Sequence, residues 1–414
     1  MANQVAATRL TMKKRLLYVV DDQAQVLEAA VLVLGMIEQD WEIIGFTDPR
    51  KALAAVKARA PDLVLSDQRM PAMPGSELLE QVRALSPTTI RIIMSGHVAM
   101  DKLTLITSAH QYLAKPFNTA TLTEIVKRSF AARERIQDPG LQTVVTALRS
   151  IPSLPQVHHS LLRELEDGRT AGTAIARMVG DDPGLSLKVL HLANSPLFGS
   201  GQMVTDPMEA VMCLGTDVLS AIVLSQSLFR HYESLHRPEM DLPRVWTHSW
   251  ETARLAQHIC RDKGLRAKAG EEAFLAGLMH EIGRFILIDN FPDQFKAASE
   301  QARQTQSPLV TRLREAFQAG PSQVGAYVLE LWGLPAPVIG AVEALDHPEA
   351  DPAAGFTIKS ALYIADHIAS GKFPPDSFSV EEWKMDYLKS LGCADQIPEW
   401  ERFFSQAPGE AFGD

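Results

Sequence analysis

Five short apolar segments, separated by stretches with helical spacing, constrain the first third of this 414-residue chain more than any other feature. One helical stretch carries Leu78, Leu79 and Val82 on one face. Strands that alternate with helices predict a parallel sheet with helices on both faces. We therefore expect a doubly wound α/β domain with five strands. The segments lie at residues 16–20, 41–46, 63–65, 91–94 and 112–114.

The pattern changes at Asp138-Pro139-Gly140, a combination that breaks helices and strands. From there on the apolar residues recur at helical spacing, as Leu185, Val189 and Leu192 do. The fold class that we predict is α/β plus all-α. The predicted parts are an α/β domain at 13–136, a helical linker at 137–150, a helical domain at 151–372 and a C-terminal helical extension at 373–414.

The composition excludes several classes of protein. A net charge of −10 argues against a protein that coats nucleic acid or an anionic membrane. The three cysteines, Cys213, Cys260 and Cys393, have neither CxxC nor metal-ligand spacing, which favours reduced thiols. The first 15 residues lack the apolar core of a secretory signal, and no apolar run is long enough to span a membrane. We expect a cytoplasmic protein without membrane or nucleic-acid partners.

Polar residues follow four of the five apolar segments. Asp21 and Asp22 follow the first, Asp67 the third, Ser95 the fourth and Lys115 the fifth. The carboxyl ends of parallel strands share one edge of a sheet, where such folds bind ligands. Three carboxylates on one edge repel each other unless a cation lies between them, and oxygen ligands with room for water suit Mg²⁺. A lysine and a hydroxyl beside them suit a phosphoryl group.

These positions resemble the receiver domain of two-component response regulators, which has a flavodoxin-like fold. The resemblance covers about 120 residues. Its motifs are Asp21-Asp22, the run from Asp67 to Gly75, Ser95-Gly96 and Lys115-Pro116.

The receiver resemblance implies a role for each residue. Asp67 accepts a phosphoryl group from a sensor histidine kinase, as carboxylate nucleophiles do. Lys115 pairs with the phosphoryl oxygens, Ser95 hydrogen-bonds to them, and Tyr112 is the aromatic residue that turns inward. The Mg²⁺ ligands are Asp21, Asp22, Asp67 and the main-chain carbonyl of Arg69. In this family the bond between Lys115 and Pro116 is often cis, which proline permits.

The second half resembles the HDOD domain, a helical relative of the HD hydrolases. The motifs lie between about residues 145 and 370. They are Leu154-Pro155, Asp182-Pro183, the run from Leu192 to Gly199, Leu214-Gly215 and the run from Gly325 to Pro335. HDOD domains are viewed as regulatory interaction modules. The resemblance therefore implies an output domain that binds another signalling protein, and we expect no metal in it.

An alternative stays open for the second half. His248, His280-Glu281 and Asp366 lie on separate helical segments. This is the ligand plan of HD-type phosphohydrolases, which use metal ions to activate water. Glu281 stands where those enzymes have aspartate. The alternative function is a receiver-gated metal phosphodiesterase that acts on a cyclic nucleotide or dinucleotide, with a bound transition metal.

The leading hypothesis is a phosphorylation-dependent response regulator. Phosphorylation of Asp67 would control the HDOD domain, which acts by protein interaction rather than hydrolysis. The only chemistry expected of the chain is then phosphotransfer to Asp67 and its autodephosphorylation. The receiver resemblance also allows two chains to pair through their receivers as a homodimer.

Overall fold

The computed structural model describes most of the chain. The described residues are 14–38, 41–95, 109–134, 136, 138–147, 161, 172–194, 203–224, 242–350, 355–371 and 383–406. Chain contacts divide the protein into two compact units, Met1–Lys127 and Arg128–Asp414.

The first unit contains the predicted five-stranded parallel sheet. Its strands are β1 (Leu16–Val20), β2 (Glu42–Phe46), β3 (Leu63–Asp67), β4 (Ile90–Ser95) and β5 (Gln111–Ala114). The strand order is β2-β1-β3-β4-β5, and every neighbouring pair is parallel. Strands β1, β3 and β4 are buried along their whole length, as expected of strands covered on both faces. The predicted α/β fold is confirmed.

In the described residues, three helices connect the first four strands, and a fourth helix follows β5. They are α1 (Ala24–Ile37), α2 (Pro49–Ala58), α3 (Gly75–Leu85) and α4 (Thr119–Glu134), and the boundary between the two compact units falls within α4. The predicted start of α2 is present, because the Asp48 carboxylate accepts a hydrogen bond from the Arg50 N–H and Pro49 occupies the first turn. The Lys115–Pro116 peptide bond is cis.

The second unit is helical throughout its described residues. The helices are α5 (Pro139–Ala147), α6 (Gly172–Gly180), α7 (Pro183–Ala193), α8 (Pro207–Leu224), α9 (Leu242–Asp262), α10 (Ala267–Met279), α11 (Ile282–Asn290), α12 (Pro292–Thr305), α13 (Leu309–Phe317), α14 (Pro321–Leu331), α15 (Ala336–Glu343), α16 (Ile358–Ser370), α17 (Met385–Ser390) and α18 (Ile397–Gln406). Short 3₁₀ turns lie at Pro348–Ala350 and Ala394–Gln396.

Helix α9 is central to the second unit, because both α10 and α16 pack against it. Helix α11 packs against α14. The C-terminal helix α18 is fixed by Trp400, whose fully buried indole N–H donates to Asp262 at 3.0 Å. Among the helices that the structure describes, none is long and apolar enough to cross a membrane.

Candidate functional site

Lys115 joins the two buried aspartates at the carboxyl edge of the sheet. Its Nζ donates to Asp21 Oδ2 at 2.6 Å and also contacts Asp67 Oδ1. Asp21 ends β1 in a fully buried position, and Asp67 is the last residue of β3. The strands β1 and β3 are direct neighbours, which brings the two carboxylates together. The sequence expectation that these residues share one site agrees with this geometry.

The other residues predicted for this site lie around that ion pair. Asp22 follows Asp21 directly and is exposed, so its carboxylate is open to solvent. The Arg69 N–H donates to Asp67 Oδ2 at 2.6 Å, which orients the Asp67 carboxylate. Ser95 ends β4 and is 3% exposed; its main-chain carbonyl accepts from the Lys115 N–H at 2.9 Å. Gly96 lies outside the described residues.

The donor set suits a divalent cation. Three carboxylates and one lysine leave two uncompensated negative charges, and carboxylate and carbonyl oxygens are the ligands that Mg²⁺ prefers. Burial raises the pKa of Asp67 above its usual value, although the hydrogen bond and charge of Lys115 oppose this. A second positive charge beside Asp67 would therefore offset the cost of burying its ionised form.

The loop after β3 brings Gly75 close to the main chain of Asp67, a contact that the sequence pattern did not reveal. A Cβ atom on Gly75 would lie 2.0 Å from the main-chain oxygen of Asp67. The Gly75 N–H donates to the carbonyl of Gln68 at 3.0 Å, and the Gln68 side chain pairs with Ser76 on α3. Glycine at this position lets α3 begin directly against the end of β3.

Tyr112 lies on β5 and is 1% exposed. Burial raises the pKa of its phenol, so the side chain stays neutral. The receiver resemblance implies an aromatic residue here that turns inward when a phosphoryl group is present. In this structure the ring is already buried.

The second unit brings together the residues of the predicted HD-like set. His248 lies on α9, His280 follows α10 directly, and Asp366 lies on α16. His248 Nε2 lies 3.1 Å from His280 Nε2 and 3.0 Å from Asp366 Oδ1. His280 Nε2 lies 3.4 Å from the same Asp366 oxygen. We call these residues, together with Glu281, the histidine cluster.

Glu281 extends the histidine cluster on one side. Its Oε1 lies 3.7 Å from His280 Nε2, and its Oε2 forms an ion pair with Arg284, whose Nε lies 3.0 Å away. The ion pair with Arg284 thus holds the Glu281 carboxylate beside His280. His248, His280 and Glu281 each place a ligand atom within 4.8 Å of the others.

A glycine positions the cluster. Gly277 lies one turn before His280 on α10, and a Cβ atom on it would lie 2.5 Å from the Cα of Ala253 on α9. The two helices can cross this closely only without that side chain. The Gly277 carbonyl also accepts a hydrogen bond from His280 Nδ1 at 2.6 Å. Neither role was apparent from the sequence, since a single glycine within a helical pattern does not show which helix approaches it.

A cavity of about 60 Å³ opens beside the histidine cluster. His280, Glu281 and Asp366 form one wall of it. Lys384, from the predicted C-terminal extension, lies on another wall and pairs with Glu349 at 2.8 Å. A polar space of this size can hold ordered water.

The charges within the histidine cluster are strongly coupled. Burial alone would raise the pKa of Asp366, but the hydrogen bonds from His248 and His280 hold it well below its usual value. Asp366 is therefore an ionised carboxylate at neutral pH. Two imidazoles and two carboxylates in one buried place can hydrogen-bond to each other or bind a metal ion.

The comparisons with known proteins agree with the two-part organisation. The family model of the response regulator receiver domain matches residues 17–127, and the HDOD domain model matches residues 151–348. The receiver match contains every residue predicted for the phosphoacceptor site. The HDOD motifs at 151–155 and 195–199 lie outside the described residues. Asp366 lies beyond the end of the HDOD match.

Relatives with curated sequences match parts of the chain. The DNA-binding transcriptional regulator NtrC of Salmonella typhimurium is 33% identical over 136 residues, which are 31% of this chain and 27% of NtrC. A protein of Treponema pallidum is 24% identical over 227 residues, 55% of this chain and 41% of that protein. The chain thus spans less than half the length of these relatives.

Solved structures match with low overall superposition scores. The response regulator MmoQ of Methylococcus capsulatus is 21% identical and has a TM-score of 0.48 over 61% of this chain and 98% of its own. An HDOD protein of Geobacter sulfurreducens is 17% identical and has a TM-score of 0.37 over 68% of this chain and 98% of its own. From the family models, the chain joins a response regulator receiver domain at residues 17–127 to an HDOD domain at residues 151–348.

Proposed function

We propose that this protein is a phosphorylation-dependent response regulator whose Asp67 accepts a phosphoryl group from a histidine kinase. The observation that carries the proposal is the contact of Lys115 with both Asp21 and Asp67 at the carboxyl edge of the sheet. A carboxylate oxygen of Asp67 attacks phosphorus while the bond from phosphorus to the donor atom breaks. The product is an aspartyl phosphate.

The residues of the site support this chemistry by position and charge. The Arg69 N–H orients one oxygen of Asp67, and Lys115 supplies positive charge to the phosphoryl oxygens. Asp21, Asp22, Asp67 and the main-chain carbonyl of Arg69 would hold Mg²⁺, which neutralises charge on the transferred group. Ser95, at the end of β4, would donate its hydroxyl hydrogen to a phosphoryl oxygen.

The output in this proposal is a protein interaction made by the HDOD domain. The phosphoryl group adds roughly 1.5–2 negative charges at Asp67. A few kcal/mol of differential stabilisation is enough to shift a two-state equilibrium substantially. The kinase, a signalling protein that binds the HDOD domain and a second copy of the chain are the partners that we propose.

The test of the phosphoacceptor is labelling of the full-length chain by acetyl phosphate in the presence of Mg²⁺. We expect one phosphoryl group per chain by mass spectrometry, and none in the Asp67→Asn variant. Asp22→Asn should remain labelled but require more Mg²⁺, because it loses one ligand charge. Equal labelling of the wild type and Asp67→Asn would contradict the assignment.

The test of the output uses beryllofluoride, which mimics the phosphoryl group on aspartate. A pull-down with the full-length chain should recover a different set of proteins, or a different amount of the same proteins, with beryllofluoride. Asp67→Asn should show no such difference. Identical recovery and an unchanged oligomeric state with and without beryllofluoride would remove the switching part of the proposal.

The assembled histidine cluster favours a second candidate function, hydrolysis of a cyclic nucleotide or dinucleotide. His248, His280 and Asp366 meet as they would in a metal phosphohydrolase, and a cavity adjoins them. Assays of the full-length chain with cyclic mononucleotides and dinucleotides, in the presence of Mn²⁺ or Fe²⁺, test it. Absence of turnover on all of them would leave the interaction module as the output.

A further inference from the structure

Gln68, the residue directly after Asp67, is bonded to both β4 and α3. Its main-chain N–H donates to the Met94 carbonyl at 2.9 Å, and its main-chain carbonyl accepts from the Gly75 N–H at 3.0 Å. Its side-chain Oε1 accepts from the Ser76 N–H at 2.9 Å, and its Nε2 donates to Ser76 Oγ at 3.1 Å. The residue is 9% exposed. Four hydrogen bonds therefore hold one buried residue beside Asp67.

The two side-chain bonds from Gln68 to Ser76 form what we call the Gln68 clamp. Helix α3 begins at Gly75, and its N-cap residue, Pro74, makes no side-chain hydrogen bond. The first N–H groups of a helix have no partner within the helix. Ser76 is 2% exposed, so water has little access to its N–H. The clamp supplies that partner, and two bonds to one residue fix the orientation of the amide.

The clamp closes the loop between β3 and α3. Gln68 stands at the start of this loop and is bonded to Gly75 and Ser76 at its end. Arg69 is the first residue inside the closed loop, and its N–H donates to Asp67 Oδ2 at 2.6 Å. The direction of the Arg69 main chain therefore depends on how firmly Gln68 is held.

Packing alone does not account for an amide at this position. Leu63 and Leu65, on the same strand that leads to Asp67, are fully buried apolar residues. An unbranched apolar side chain at position 68 would fill a similar volume but leave the Ser76 N–H without its partner. A buried amide is favourable only where its hydrogen bonds are made. The bonds that Gln68 makes all constrain the main chain on either side of the Asp67 site.

We propose that Gln68 is a positioning residue of the Asp67 site, which acts by holding Arg69 through the Gln68 clamp. The inference rests on the proposed function, in which the main-chain carbonyl of Arg69 is a ligand of Mg²⁺. Gln68 itself touches neither the cation nor the phosphoryl group. Loss of the clamp should therefore weaken Mg²⁺ binding in a chain that is still folded.

The test measures Mg²⁺ binding to the full-length chain by isothermal titration calorimetry, with no phosphodonor present. Gln68→Met keeps an unbranched side chain of similar length but removes both bonds of the clamp. We expect Mg²⁺ to bind about tenfold more weakly, as commonly follows the loss of a group that orients a metal ligand. The same variant should need correspondingly more Mg²⁺ for half-maximal labelling by acetyl phosphate. The Asp67→Asn chain measures any Mg²⁺ that binds elsewhere.

Three further variants identify the clamp as the cause. Gln68→Glu should bind Mg²⁺ at least as tightly as the wild type, because its carboxylate accepts from both the N–H and the hydroxyl of Ser76. Ser76→Ala removes one of the two bonds and should weaken Mg²⁺ binding by less than Gln68→Met does. The double variant with Gln68→Met and Ser76→Ala should bind Mg²⁺ as Gln68→Met does, since both substitutions break the same contact.

Thr89→Val is the matched control for a purely structural effect. Thr89 is fully buried and precedes β4, at the edge of the sheet opposite Asp67. Its Oγ1 donates to the Pro61 carbonyl at 2.8 Å and lies 2.8 Å from Ser86 Oγ. The control should lower the urea concentration at the unfolding midpoint, as Gln68→Met does, but leave the affinity for Mg²⁺ unchanged.

Either of two results would overturn the positioning role of Gln68. One is a folded Gln68→Met chain with the Mg²⁺ affinity of the wild type. The other is a Gln68→Glu chain that binds Mg²⁺ as weakly as Gln68→Met. If Gln68→Met does not fold, unchanged Mg²⁺ affinity in Ser76→Ala overturns it instead. A wild-type chain that binds Mg²⁺ but is not labelled at Asp67 would contradict the proposed function and not the clamp.

Discussion

At the scale of single residues, Lys115 supplies the positive charge that lets Asp21 and Asp67 be buried side by side. Asp21 is fully buried and Asp67 is 6% exposed, and both contact the same ammonium group. Removing one partner of a buried ion pair leaves a charge uncompensated, which costs more than the pair contributes when intact. The stability of the folded site therefore depends mainly on positive charge beside the Asp21 and Asp67 carboxylates.

We predict that Lys115→Met lowers the free energy of unfolding at neutral pH by about 3 kcal/mol in the absence of Mg²⁺. Mg²⁺ should reverse part of this loss, because it supplies positive charge beside the same carboxylates. Urea unfolding of the full-length chain with and without Mg²⁺ measures both effects. Lys51→Met, at an exposed position on α2, is the matched control and should change little. A loss that is unaffected by Mg²⁺ would contradict this account.

Lys188 gives a prediction for pH dependence. Burial lowers the pKa of its ammonium group to about 7. In the unfolded chain the amine keeps its proton up to about pH 10.4. Between these values the unfolded state binds more protons, so the stability of the folded chain should rise with pH by at most about 1.4 kcal/mol per unit.

We predict that Lys188→Met removes most of this rise between pH 7 and pH 9. The substitution keeps an unbranched side chain of similar length over the Trp332 ring, which Lys188 approaches at 5.2 Å. The comparison is made by urea unfolding at both pH values against Lys268→Met, an exposed position on α10. Parallel pH profiles for the two variants would show that the Lys188 amine is not the cause.

At the scale of elements, two glycines allow main-chain segments to pack closely against each other, one beside Asp67 and one beside the histidine cluster. Gly75 allows α3 to begin against the main chain of Asp67, and Gly277 allows α10 to cross α9 beside His280. Both approaches would place a Cβ atom closer to backbone than van der Waals contact permits. Backbone atoms cannot move aside as a flexible side chain can, so the helices themselves would have to shift.

We predict that Gly75→Ala lowers the free energy of unfolding by about 1–3 kcal/mol, the usual cost of overpacking. It should also slow labelling by acetyl phosphate, because the strain falls on the Asp67 carbonyl. Gly35→Ala on α1 is the control; its nearest contact would be 4.0 Å away, and alanine should stabilise the helix by about 0.5–1 kcal/mol. Equal effects of the two substitutions would be inconsistent with this close approach.

For α9 and α10 we predict that Gly277→Ala separates the helices and weakens Co²⁺ binding at the histidine cluster more than it weakens the fold. The reason is that the distance between His248 and His280 depends on this crossing. Visible Co²⁺ spectra and urea unfolding of the same protein separate the two effects. A variant that keeps Co²⁺ affinity while losing stability would assign Gly277 to packing alone.

At the scale of the whole molecule, two compact units carry two proposed cation sites of different chemistry. Calorimetry of the full-length chain should show that Mg²⁺ raises the unfolding temperature of one transition only. At a concentration tenfold above its dissociation constant, a ligand stabilises the folded unit by about 1.4 kcal/mol. Zn²⁺ in the presence of excess Mg²⁺ should raise the unfolding temperature of the other transition. A single transition that responds equally to both ions would contradict this separation.

Much of the first unit could be predicted from the sequence. The strand segments were located to within two residues at either end, and the residues at their carboxyl ends identified the site. The reason is that strand ends in a parallel sheet fall on one edge by geometry alone. The second unit was harder, because helical periodicity gives each helix a buried face without saying which helix covers it. His248, His280 and Asp366 could be named as a set, but their distances could not.

By itself, the sequence determined the α/β and helical halves, the five polar positions of the receiver and the identity of the histidine cluster. Only the tertiary structure decided that His248 Nε2, His280 Nε2 and Asp366 Oδ1 lie within 3.4 Å of one another, and that Arg284 forms an ion pair with Glu281 beside them. The physical reason is that local patterns follow from repeats along the chain, whereas the distance between side chains on different helices depends on how closely their backbones can pack.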